Sequence, residues 1–234
     1  MDAHATPLVF ERPVTLVGGG TLDLDMLEEA RAHAPELVAA DSGANRLASW
    51  RLVPGGVIGD MDSIADPGRW QSGPTRFLQF AEQETTDFEK CLYATRAPFY
   101  IGVGFTGSRV DHLLAVLHAM LARPEKTVVL LGETEAIALL PPGRVLALGL
   151  EPGARVSLYP LRPVTGTRSR GLLWPVEGMT MAPGARIGTS NVATAPQVEV
   201  AFDAPGALVL LERRFLGALV RAVTETVAET PHPR

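Results

Sequence analysis

The chain has 234 residues, 46% of them apolar and 20% charged, with a formal net charge of −5. These values fit one large or two smaller globular domains with a real core and argue against a disordered chain. Basic residues are scattered rather than blocked, which argues against a nucleic-acid groove or a membrane-surface helix and favours small-molecule partners.

Cys91 is the single cysteine, so there is no disulfide framework and no cysteine-rich metal site, and a reducing, cytoplasmic setting is expected. Residues 1–13 carry acids and prolines without the apolar run of a signal peptide, and no apolar stretch approaches membrane-spanning length. From Val14 to Leu131 short apolar runs alternate with helical patterns: strands are expected at 14–17, 37–40, 57–58 and 99–103, helices over 24–34, 44–50 and 109–121. This alternation predicts an α/β domain with a mainly parallel sheet and flanking helices. In the last of these helices Val110, Leu113, Leu114, Leu117 and Leu121 mark the expected buried stripe. From Thr134 onward the helical period is lost. Short β-type runs at 144–150, 155–161, 185–187, 197–202 and 207–211, separated by Pro-Gly turns, predict a small all-β sandwich. The expected division is an α/β domain over 12–133, a β-sandwich over 142–212, and a tail over 213–234 in which 215–227 has a helical pattern.

In an open parallel sheet, ligands gather where strands end and helices begin. At the first such junction, Gly18-Gly19-Gly20-Thr21 is either a tight turn or a phosphate-binding loop; without a Lys it is not a Walker A loop. At the second, Asp41-Ser42-Gly43-Ala44-Asn45-Arg46, Asp41 or Ser42 either caps a helix or faces ligand, while Asn45 and Arg46 in the first helical turn suit a nearby anion. The third, Gly59-Asp60-Met61-Asp62-Ser63, follows the apolar pair Val57-Ile58. In extended chain Asp60 and Asp62 project to the same side and can share a hard cation; an Asp-rich turn is the alternative.

The segment Glu82 to Lys90 comes next. Thr86 and Glu89 form a capping box, and Phe88, Cys91, Leu92 and Thr95 form an apolar face that makes Cys91 core. Lys90 opposes the helix dipole and is one of two lysines, the other being Lys126. A metal-binding Asp87 beside a phosphate-binding Lys90 accounts for both. In Gly107-Ser108-Arg109-Val110-Asp111-His112, Ser108 and Asp111 fit a cap, Arg109 suits a bound anion, and His112 either touches ligand or packs.

The segments at 41–46, 59–63, 83–90 and 107–112, in this order and spacing, resemble those of thiamine pyrophosphokinases, and the likeness continues through Gly171-Leu172-Leu173-Trp174 and Gly188-Thr189-Ser190-Asn191. Glu84 and Ser108 depart from the family's usual Asp and Gly. The resemblance implies transfer of pyrophosphate from ATP to the hydroxyl of thiamine, with Mg²⁺ held by Asp60, Asp62 and Asp87. It assigns Lys90 and Arg109 to phosphoryl charge, Asp111 to the thiamine hydroxyl, and Asp41, Asn45, Gln83, Thr86 and His112 to supporting contacts. Trp174 would stack on thiamine, unless it is a core or interface anchor, and Ser190 with Asn191 would bond its aminopyrimidine. A homodimer with shared sites is also implied. The rivals are a metal-dependent nucleotide phosphohydrolase and a non-catalytic nucleotide or thiamine sensor.

Overall fold

The computed structural model describes residues 6–107, 109–141 and 143–225. Ser108, and the part of the expected terminal helix beyond Glu225, lie outside them. The chain divides into two compact units: the first comprises the residues up to Ala122 together with Leu130–Glu133, the second Arg123–Val129 together with the residues from Thr134 onward.

The first unit contains β1 (Leu8–Val9), β2 (Val14–Val17), α1 (Leu24–His33), β3 (Glu36–Ala40), α2 (Gly43–Ser49), β4 (Gly56–Gly59), α3 (Gly68–Gln71), β5 (Arg76–Gln79), α4 (Asp87–Ala94), β6 (Thr95–Arg96), β7 (Tyr100–Val103) and α5 (Val110–Ala122). Then β8 (Val128–Leu131) leads to the boundary. The sheet runs β7-β2-β3-β4-β5, every pairing parallel. β2, β4 and β7 are buried at every position, as expected of strands covered on both faces. β3 and β7 flank β2 on opposite sides, so strand order reverses there and opens a crevice at the strands' carboxyl ends.

β5 falls in a segment with no predicted strand: it is a short edge strand, intermediate or exposed throughout, and so lacks the apolar signal. The stripe predicted for α5 is corrected. Val116, Ala119 and Met120 are its buried face, whereas Val110 and Leu114 are 64% and 61% exposed and Leu113, Leu117 and Leu121 only partly covered. The helix is apolar nearly all round, so periodicity could not say which side its own unit covers.

The second unit contains β9 (Glu135–Leu139), β10 (Leu146–Gly149), β11 (Arg155–Pro160), β12 (Val164–Arg170), β13 (Thr180–Met181), β14 (Gly188–Val192), β15 (Gln197–Phe202), β16 (Ala207–Glu212) and α6 (Leu216–Thr224). Antiparallel pairings give the orders β14-β11-β16-β9 and β10-β15-β12-β13, a β-sandwich whose alternate residues, such as Val156, Leu158, Val198 and Val200, are buried. The strand predicted at 185–187 is absent: a turn over 182–185, closed by Ala185 N–H donating to Ala182 O with Gly184 at a left-handed φ of 73°, is followed by irregular chain at Arg186 and Ile187. β12 has one large apolar residue and pairs through polar groups such as Arg168 with Glu199, which hid it from the pattern. α6 buries Leu216, Leu219, Val220 and Val223 within this unit. Among the described residues no helix is long and apolar enough to cross a membrane.

Candidate active site

The loops after β2, β3, β4, β5 and β7 border one cavity of about 640 Å³ in the first unit. Its glycine wall is required by close backbone approach. A Cβ on Gly18 or on Gly20 would stand 2.6 Å from Gly104 O. Gly18 N–H and Gly20 N–H already donate to Val103 O and Gly104 O, so these two amides brace the loop.

Asp41, Asp60 and Asp62 each bring a carboxylate oxygen within 4.8 Å of the other two. Their convergence does not come from strand alternation as predicted. β4 stops at Gly59, Met61 takes a left-handed φ of 72°, and Asp62 N–H donates to Asp60 Oδ1 at 3.2 Å, so a turn folds the two acids together. Nor does Asp41 or Ser42 cap α2: Ser42 makes no side-chain cap bond, and Asp41 Oδ1 is buried without a hydrogen-bond partner. Such an orphan acceptor costs about 1–3 kcal/mol, and the left-handed φ of 41° at Asp41 adds strain. Burial, then repulsion from Asp87, raises the Asp41 carboxyl above its ordinary range; Asp60 raises it further, against a hydrogen bond from the Ser42 backbone N–H. Three hard oxygen donors, one unsatisfied, fit a divalent cation such as Mg²⁺.

Asp87 opens α4, which Thr86 caps by accepting from Glu89 N–H. Lys90 is 2% exposed, and its Nζ lies 3.3 Å from Asp87 Oδ1. Burial raises the Asp87 carboxyl and Lys90 opposes the rise, while Asp60 and Asp62 add to it. Asp87 thus feels the acid cluster electrostatically, although it is not one of the three mutually close carboxylates. Asp60 is lowered, first by the hydrogen bond from Gln83 Nε2 to its Oδ2 at 2.8 Å.

Other predicted contacts have partners of their own. Asn45 Nδ2 donates to Ser63 O at 2.8 Å and its Oδ1 accepts from Ala65 N–H at 2.9 Å, so Asn45 pins the acidic turn. Arg109 Nη2 donates to Asp111 Oδ2 at 2.6 Å, and this pairing holds Asp111 below the ordinary carboxylate range, which weakens it as a proton acceptor. Arg109, His112 and Thr86 line the cavity. Cys91 is fully buried, and burial pushes its thiol up.

In the second unit Trp174 is 57% exposed. Asn191 is buried, with its Oδ1 accepting from Trp174 N–H at 3.1 Å and its Nδ2 donating to Trp174 O at 2.7 Å. The amide therefore clamps the Trp174 backbone. Ser190 takes a left-handed φ of 58° with its N–H on Ser157 Oγ, leaving the side chain exposed.

Sequence reasoning missed Ser63, whose Oγ donates to Asp62 Oδ1 at 2.7 Å, and Gln79, whose Nε2 donates to Asp60 O at 3.0 Å. Ser63 stood next to the acid pair and was open to notice; Gln79 sits on the strand the pattern did not reveal.

Two sequence models of one family match the chain: thiamin pyrophosphokinase, catalytic domain, over residues 27–131, and thiamin pyrophosphokinase, vitamin B1 binding domain, over residues 147–206. Thiamine pyrophosphokinases 1 and 2 of Oryza sativa subsp. japonica are 28% and 29% identical to it over 197 and 203 residues, covering 71% and 74% of this chain and 75% and 76% of theirs. The thiamin pyrophosphokinase structure from Candida albicans superposes with a TM-score of 0.72 at 15% identity, over 91% of this chain and 95% of that one. The corresponding Bacillus subtilis structure gives 0.69 at 20% identity, over 86% and 98%. At such identities the two structures speak for the fold.

Proposed function

This chain belongs to the thiamin pyrophosphokinase family, and we infer from that membership, together with the site, that it is a thiamine diphosphokinase. It transfers the pyrophosphoryl group of ATP to thiamine, giving thiamine diphosphate and AMP. In this reaction the thiamine hydroxyl oxygen bonds to the β-phosphorus, and the bond from that phosphorus to the oxygen it shares with the α-phosphorus breaks.

The observation that carries the mechanistic reading is the cluster of Asp41, Asp60 and Asp62, with an unsatisfied buried oxygen, at the carboxyl ends of parallel strands. These three would hold Mg²⁺, with Asp87 close enough to add its charge. The ion, when bound, neutralises phosphate charge and so favours attack at phosphorus. Lys90 presents a fixed cation to the same phosphates, because a desolvated ammonium interacts more strongly than one in water. Gln83 orients Asp60, and Asn45 holds the acidic turn. Arg109 is exposed and is proposed to exchange Asp111 for a phosphate oxygen; Asp111, freed of Arg109, then regains basicity toward the thiamine hydroxyl. Incubation with ATP, Mg²⁺ and thiamine is expected to yield AMP and thiamine diphosphate, and chelation of the metal to stop both. ADP or free phosphate formed without thiamine would instead indicate a phosphohydrolase.

Trp174 is the proposed thiamine wall, supported by its exposure, by the clamp from Asn191 and by its place in the region matched by the vitamin-binding model. A homodimer with shared sites is the proposed assembly, supported by the apolar stripe that α5 leaves exposed. Both ideas meet one test. Asp60→Asn and Trp174→Ala chains, each nearly inactive alone, should on mixing regain roughly a quarter of wild-type turnover, because half the dimers are mixed and each has one intact site. No rescue in demonstrably mixed dimers would confine the site to a single chain.

A further inference from the structure

We propose that Glu82 is a positioning residue for the metal cluster, acting through Gln83; the proposal rests on the metal reading above. Glu82 is not part of the cavity wall, yet its carboxylate ties down the loop between β5 and α4. Its Oε2 accepts from Glu84 N–H at 2.8 Å and Thr85 N–H at 3.0 Å. Its Oε1 accepts from the Thr85 hydroxyl and from Tyr93 O–H at 3.0 Å. Tyr93 stands in α4, and its ring meets Phe80 edge-on at 5.3 Å, so the carboxylate links the loop to the helix that carries Asp87 and Lys90.

Gln83 is the next residue. Its side chain is exposed and reaches Asp60 through one hydrogen bond. A long exposed side chain loses rotamer freedom in making such a bond, so the bond persists only where the backbone is already placed for it. Charge-assisted bonds to Glu82 provide that placement. A purely structural staple would lower stability when removed and leave metal affinity alone. A positioning residue changes affinity by the same route as Gln83, because donors to a ligating carboxylate set its orientation.

Mn²⁺, which takes the same oxygen ligands as Mg²⁺, serves as the probe, titrated by electron paramagnetic resonance into the metal-free full-length chain. Gln83→Ala and Glu82→Ala are each expected to weaken Mn²⁺ binding roughly tenfold. Tyr93→Phe, which keeps the ring on Phe80 and removes one bond to Glu82, should weaken it about threefold. The double variant Glu82→Ala/Gln83→Ala should fall within about twofold of Gln83→Ala alone. Multiplicative losses in the double variant, or a folded Glu82→Ala chain that binds Mn²⁺ like wild type, overturn the proposal. Should Glu82→Ala fail to fold, Tyr93→Phe decides: unchanged affinity overturns it, and a loss absent from the Gln83→Ala background supports it. A wild-type chain that does not bind Mn²⁺ overturns the metal reading itself and this proposal with it, whereas wild-type binding with unaffected variants overturns only the role of Glu82.

Discussion

Asp41→Asn is expected to lower turnover about a thousandfold while raising the melting temperature of the metal-free protein. The loss follows from removing one of three clustered carboxylates; a bound metal contributes several kcal/mol to transition-state stabilisation, and about 4 kcal/mol is a thousandfold in rate. The gain in stability has a separate cause. Asp41 is buried, its Oδ1 lacks a partner, and Asp87 and Asp60 repel its charge, so the neutral amide removes an unfavourable burial. Because the carboxyl is raised in the folded state, it binds its proton more tightly there than in the unfolded chain. The wild-type protein is therefore penalised above that raised value, and the penalty disappears as pH falls below the ordinary carboxylate range, where both states are protonated. Thermal unfolding should show the Asn chain most advantaged near neutral pH and level with wild type in acid. Turnover within tenfold of wild type would remove Asp41 from the metal site.

Lys90→Met is expected to cost about a hundredfold to a thousandfold in turnover and, unlike Asp41→Asn, to lower stability. The ammonium is 2% exposed and its loss leaves Asp87 without its counter-charge among other acids. Breaking a fully buried pair costs about 3–5 kcal/mol; with Asp87 35% exposed, screening water reduces this to about 1–3 kcal/mol. Adding Asp87→Asn to Lys90→Met should recover much of the stability and none of the turnover. Recovery of both would make the ion pair a structural unit and take Lys90 away from the phosphates. Lys90→Arg should not substitute, because a planar guanidinium is bulkier than the ammonium and sets different hydrogen-bond directions at a side chain only 2% exposed.

The parallel half of the fold was legible because β2, β3 and β7 are short, mostly apolar runs followed by helical periods, and because every motif fell at a strand end. The β-rich half was legible as a class but not strand by strand. β12 is polar, β14 begins at Gly188, and the apolar Ile187 belongs to the connection before it. A one-residue offset suffices to misplace a strand when turns and strands share the same residues.

At the site, the sequence by itself determined which acids and cations are present and at which junctions they stand, since strand ends are local features. Four motifs in order were enough to indicate the family. Only the tertiary structure decided how these groups meet. It brought Asp41 to the two acids after β4, with Asp87 near enough to act on all three electrostatically, and it paired Arg109 with Asp111. It also turned Asn45, Gln83 and Asn191 onto protein partners and left one face of α5 uncovered. The physical reason is that hydrogen-bond partners and burial depend on side chains brought together from distant segments, here β3, β4, β5 and α4, whose spacing along the chain carries no record of the distances between them.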